Sequence, residues 1–108
     1  MKAGSLPFLF NQELRSLAAA RCAAFRRQEI AGQDELKAAA VAVMLVPAGD
    51  GSGRAAFILT ERPSGMRRHA NQFALPGGRC DEGETVVQAA LREIEEEIGL
   101  RLSERDVL

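Results

Sequence analysis

Three carboxylates, Glu93, Glu96 and Glu97, crowd into a stretch whose other residues favour a helix. At helical rotation they fall within an arc of about 100°, with Glu93 and Glu97 one turn apart. Like charges at that spacing destabilise a helix by ~0.2–0.5 kcal/mol per pair, and acids near a helix C-terminus oppose its dipole. A helix shaped only for stability would not stack them there. A divalent cation removes the conflict, and an all-oxygen ligand set suits Mg²⁺ or Mn²⁺. Glu95 points to a different side of the helix and reads as a solvated charge.

A second signal lies just upstream. From Arg54 to Arg79 there are five Arg and one acid, Glu61; from Asp81 to Asp106 there are nine acids and three Arg. A basic segment alone would suggest nucleic acid. Set directly before an acidic one, it suggests a site that takes an anion through Arg and a cation through carboxylates. Arg62 and Arg67 are the candidates for phosphate, because a guanidinium fork matches phosphate oxygens. His69, the only histidine, has no Ser or Cys partner in a recognisable triad and reads as a structural or loop residue. Cys80 reads as incidental.

These residues need elements to hold them. Glu84 to Ile98 reads as a helix whose stripe of Val87, Ala90, Leu91, Ile94 and Ile98 faces a core, with Gly99 as its stop. Ala38 to Val46, rich in Val, reads as one buried strand, and Ala55 to Glu61 as a second, with Phe57 and Leu59 on one face. Together they predict a hairpin with a long tip at residues 47–53. That tip is Gly-rich, but no Lys-Ser or Lys-Thr follows, so it is a plain loop and not a phosphate loop. Asn11 to about Glu29 predicts an earlier helix with Asn11 as N-cap, packing through Leu14, Leu17, Ala18, Cys22 and Phe25. Arg62 to Ala74 is irregular, and Leu75-Pro76-Gly77-Gly78 is a sharp backbone break.

Gly78, five residues, Glu84, seven residues, then Arg92-Glu93-Ile94-Glu95-Glu96-Glu97-Ile98-Gly99-Leu100 resembles the Nudix hydrolase signature, G-x5-E-x7-R-E-U-x-E-E-x-G-U with U apolar. Every specified position matches. Seven fixed residues at about 7% usage each would coincide roughly once in 10⁸ windows. The resemblance implies an α/β/α sandwich with a mixed sheet and hydrolysis of a nucleoside diphosphate linked to another group. It also implies roles. Glu93, Glu96 and Glu97, with the Gly78 carbonyl, would hold Mg²⁺ or Mn²⁺. Arg92 would pair with Glu84 and aim the carboxylates. Glu93 or Glu96 would serve as the base toward water, although that residue varies within the family and can lie beyond the signature.

The stretch from Ile58 to Gly78 is also similar to a pattern of the coenzyme A diphosphatase subfamily, L-L-T-x-R-[S/A]-x3-R-x3-G-x3-F-P-G-G. Leu59, Thr60, Arg62, Arg67 and Pro76-Gly77-Gly78 match with no insertion. Pro63, Asn71 and Leu75 depart from it. Asn tolerates a left-handed backbone better than most residues, so Asn71 can hold the turn where the pattern has Gly. This similarity implies coenzyme A or an acyl-CoA as substrate, giving 3′,5′-ADP and 4′-phosphopantetheine. ADP-ribose or another nucleoside diphosphate derivative would also attract these Arg. A non-catalytic binding module on the same fold is the alternative of a different class.

Size and composition bound the rest. A chain of 108 residues with 46% hydrophobic residues and net charge −1 is a small folded domain and not a disordered one. Residues 1–37 read as an N-terminal helical segment and 38–108 as the start of the catalytic domain, with the signature at 78–100. Only eight residues follow Leu100, so the sandwich is expected to be incomplete at its C-terminus. Eighteen Ala and no Trp or Tyr leave a thin core, which points to a partner chain or a homo-oligomer. There is no apolar run of membrane-spanning length and no signal-peptide pattern. Two cysteines at arbitrary spacing make neither a disulfide framework nor a zinc site. The expected setting is the cytoplasm, with a small nucleotide-type partner, no nucleic acid and no membrane.

Overall fold

A computed structural model describes residues 2–32, 36–61 and 71–108. The chain forms β1 (Lys2–Leu9), α1 (Gln12–Ala24), β2 (Ala39–Val41), β3 (Leu45–Pro47), β4 (Arg54–Glu61), β5 (Phe73–Ala74), β6 (Gly77–Arg79) and α2 (Val86–Ile98), followed by a 3₁₀ turn at Glu104–Asp106. The α/β class expected from the sequence is realised as two sheets and two helices. The resemblance implies a mixed sheet; the pairings between described residues are all antiparallel.

The Val-rich run at 38–46 serves two sheets instead of one. β2 pairs with β6, Ala40 opposite Gly78, while β3 pairs with β4, Val46 opposite Ala56. Between them the Ala42 N–H donates to the Pro76 carbonyl at 2.8 Å. The predicted hairpin is β3–β4, and its tip closes with the Ser52 N–H donating to Asp50 Oδ1 at 2.9 Å. β1 carried no sequence signal. It takes the outer edge of β4, from Lys2 opposite Leu59 to Leu9 opposite Arg54, with a register shift between Ser5 and Leu9. An edge strand tolerates Pro7, which has no N–H for the ladder. The described part of the 1–37 segment, expected to be helical, therefore holds a strand as well as a helix.

Asn11 caps α1 as expected, accepting the Leu14 N–H at 2.9 Å. The helix stops at Ala24, short of Glu29, where Phe25 turns extended. Its expected packing face is not used among the described residues: no α1 residue is buried, and Phe25 is 72% exposed. Without tertiary burial, helical propensity alone sustains only the capped part.

The core is Met44, Ile58 and Ile94, with Ala42, Val46, Ile98 and Leu102 packed against it. Ile58, and not Phe57 or Leu59, is the large β4 side chain that is buried, together with Ala55 and Ala56. α2 brings Ile94 and Ile98 of its predicted stripe to this core, and it also buries Ala89, which the stripe does not include. Among the described residues no helix is long and apolar enough to cross a membrane.

Candidate active site

The site is assembled where α2 crosses β6. Both ends of α2 are fixed by its own sequence. At the start, Thr85 and Gln88 form a reciprocal capping box, with hydrogen bonds of 3.1 Å and 2.9 Å. At the end, Gly99 takes a left-handed φ of 79°, and its N–H donates to the Glu95 carbonyl at 2.9 Å. The carboxylates thus sit on the last turns of a helix that cannot slide.

β6 supplies the opposing surface, and it can do so because it is glycine. A Cβ on Gly77 would run into the Ala40 carbonyl oxygen and lie 2.6 Å from Val41 Cα, so only glycine lets β6 approach β2 this closely. A Cβ on Gly78 would lie 2.5 Å from Glu93 Oε1. The Glu93 carboxylate therefore rests directly on the Gly78 backbone.

Arg92 is the hub. Its Nε and Nη2 donate to Glu84 Oε2 and Oε1, both at 2.9 Å, a parallel fork. Nη2 also donates to the Arg79 carbonyl at 3.0 Å. Nη1 reaches Glu93 Oε1 at 3.0 Å and Glu96 Oε2 at 3.2 Å. Asp81 Oδ2 lies 3.3 Å from Nε. Glu84, just before the helix, is fixed a second time by the Asp81 N–H at 2.9 Å. The Arg92 fork and this amide hold the Glu84 carboxyl down at about 2, and Glu84 in turn holds the Arg92 guanidinium even more firmly charged than usual.

Glu97 is in the opposite condition. Local burial raises its pKa, the neighbouring Glu93 and Glu96 charges raise it further, and the Gly77 N–H hydrogen bond opposes them. The Glu93 and Glu97 carboxylates face each other, and the donor set is oxygen only. That chemistry suits a hard divalent ion. Among the described residues, no group of three His, Cys, Asp or Glu is gathered as a metal ion requires. The third candidate, Glu96, shares Arg92 Nη1 with Glu93.

Gly78, Glu84, Arg92, Glu93, Glu96 and Glu97 are thus brought into one neighbourhood, as the spacing predicts. Glu95 lies apart, paired with the exposed Arg101 at 2.9 Å. Arg62 and Arg67, the expected phosphate contacts, and His69 lie outside the described residues. Asp81 was not anticipated, because nothing in a polar loop marks one acid as the neighbour of an arginine eleven residues later. Asn71 has a left-handed φ of 62°, the conformation expected of it where the coenzyme A pattern has Gly.

Comparison with known proteins follows the same stretch. The family model described as the NUDIX domain matches residues 36–108. "Nudix hydrolase 3" of Caenorhabditis elegans is 44% identical over 57 residues, covering 53% of this chain and 24% of that protein. The "Uncharacterized Nudix hydrolase NudL" of Escherichia fergusonii is 46% identical over 53 residues, covering 48% of this chain and 28% of the relative. The chain thus aligns with about a quarter of the length of these relatives. No solved structure matches it.

Proposed function

Because the chain belongs to the NUDIX family, we propose that it is the metal-binding part of a hydrolase that cleaves a diphosphate bond in coenzyme A or an acyl-CoA. The observation that carries the hydrolase reading is the fork from Arg92 to Glu84, which aims the Glu93 side of α2 at the Gly78 backbone. Glu93, Glu96 and Glu97, with the Gly78 carbonyl, are the residues that would hold Mg²⁺ or Mn²⁺. When bound, such an ion neutralises the diphosphate and acidifies a water.

The remaining work belongs to the chain itself. Glu84 and Arg92 keep the carboxylates in place before substrate arrives, so little reorganisation is needed at the reacting centre. Glu93 or Glu96 accepts the proton of the attacking water. Arg62 and Arg67 bind substrate phosphates through charge-assisted hydrogen bonds. The products are 3′,5′-ADP and 4′-phosphopantetheine or its acyl form. The coenzyme A reading is supported by the unbroken spacing from Ile58 to Gly78 and by the left-handed backbone at Asn71. The free thiols of Cys22 and Cys80 are in keeping with a cytoplasmic setting.

The test is cleavage of the diphosphate bond in coenzyme A, dephospho-coenzyme A and ADP-ribose in parallel, followed by the adenine nucleotide released: 3′,5′-ADP from the first and AMP from the other two. An Arg–phosphate contact worth roughly 1.5–3 kcal/mol gives coenzyme A an advantage of ~10–150-fold over the form lacking the 3′-phosphate. Arg67→Ala or Arg62→Ala erases that advantage. ADP-ribose turning over faster than both coenzyme A forms would overturn the substrate assignment and leave the hydrolase reading intact.

A further inference from the structure

Arg92 uses all of its donors, but its two ends differ. Its Nε and Nη2 face Glu84, Asp81 and the Arg79 carbonyl, at 2.9–3.3 Å. The Glu84 side chain is only 15% exposed, and it is locked by the Asp81 amide as well. Nη1 alone spans Glu93 and Glu96, and the Glu96 side chain is 58% exposed. A parallel fork onto a shielded, doubly fixed carboxylate is the strong end of this side chain. A single nitrogen shared between two acids, one of them open to water, is the weak end. The charge count favours change there too: Asp81, Glu84, Glu93 and Glu96 bring four negative charges to one guanidinium. That neighbourhood stays strongly negative, and the oxygens which Nη1 holds are among those that a cation would need.

We propose that Arg92 is anchored at one end and displaceable at the other: Nε and Nη2 stay on Glu84 and the 79–81 loop, while Nη1 caps Glu93 and Glu96 until a divalent cation claims them. This rests on the metal reading given above and adds a conformational step to it. A divalent ion offers two charges and several coordination positions to oxygens that share one Nη1 group, so it wins the exposed end without disturbing the fork. The cap keeps neighbouring carboxylates of one helix face from repelling each other when no cation is present. It also accounts for Glu93 and Glu96 both lying on Arg92 Nη1.

Side-chain NMR of protein carrying ¹⁵N-arginine and ¹³C-glutamate tests this directly, with Mg²⁺ as the probe. The expected result is a shift of the Arg92 Nη1 resonances, with faster rotation about Cζ–Nη1. It saturates at the same Mg²⁺ concentration as the shift of Glu97 Cδ, while the Arg92 Nε–H signal stays where it was. A Glu97 shift with Nη1 unmoved would overturn the displaceable cap and leave the metal reading standing. An equal shift at Nε would overturn the anchored end. Mg²⁺ that moves no resonance of the site would remove the metal reading, and the proposal with it.

Discussion

Arg92 grips Glu84 across the start of α2 with two parallel hydrogen bonds of 2.9 Å, Nε to Oε2 and Nη2 to Oε1. Neither residue needs to touch substrate for this pairing to matter. It ties the loop at 79–84 to the helix at the residue just before Glu93 and one turn before Glu96, and so links the loop to the acids. The expected consequences separate positioning from binding.

Arg92→Ala should lower kcat by about 10–100-fold, the usual cost of losing a group that orients metal ligands, with little change in KM. Steady-state kinetics on coenzyme A decides it. A rise confined to KM would make Arg92 a substrate contact.

Glu97→Gln should abolish most Mg²⁺-dependent turnover while far-UV circular dichroism and the thermal midpoint stay close to the parent. The substitution removes one ligand charge, and it also relieves a carboxylate whose neighbours Glu93 and Glu96 oppose its ionisation. Unchanged Mg²⁺ dependence would sink the ligand role.

The two glycines of β6 should fail in different ways. At Gly77 a Cβ meets backbone, the Ala40 carbonyl, which cannot step aside; Gly77→Ala should cost about 1–3 kcal/mol in urea unfolding. At Gly78 it meets the end of the Glu93 side chain, which can rotate away. Gly78→Ala should unfold near the parent midpoint yet bind Mn²⁺ more weakly in a titration followed by electron spin resonance. Equal stability loss in both variants would contradict this division.

The Glu84–Arg92 pair sets a pH dependence of stability. The Glu84 carboxyl ionises at about 2 in the folded chain against an ordinary value of 4.5. Its folded pKa is the lower one, so the stabilisation is complete above pH 4.5 and is lost as pH falls toward 2. Urea midpoints of the parent and Glu84→Gln should differ by a constant amount at neutral pH and converge between pH 4.5 and 2. A gap that persisted below that window would assign the loss to something other than the charge of Glu84.

The carboxylates, their arginine and the helix that carries them were legible because everything that fixes them is local. Rotation about one helix axis puts Glu93 and Glu97 on the same face, Gly99 stops the helix, and Glu84, just before the N-cap, lies within reach of Arg92 two turns into the same helix. Asn71 was legible for the same reason: its left-handed backbone is a property of the residue and one turn. The end of α1 was not, because Phe25 to Glu29 have the composition of a helix but lie exposed among the described residues.

Residue types and spacing by themselves determined which side chains share a helix face and therefore the chemistry on offer. Tertiary structure decided how those side chains are engaged. The run Ala38 to Val46 is uniformly apolar, so nothing in it says that Val41 pairs with Gly77 while Val46, five residues on, pairs with Ala56. β1 was invisible because its place is set by the open edge of β4 and not by any pattern in Lys2–Leu9. Asp81 joins Arg92, and Glu96 turns to Arg92 instead of toward Glu97, because a guanidinium distributes its five donors by distance and shielding in space. Those are sums over partners that converge only when the chain folds.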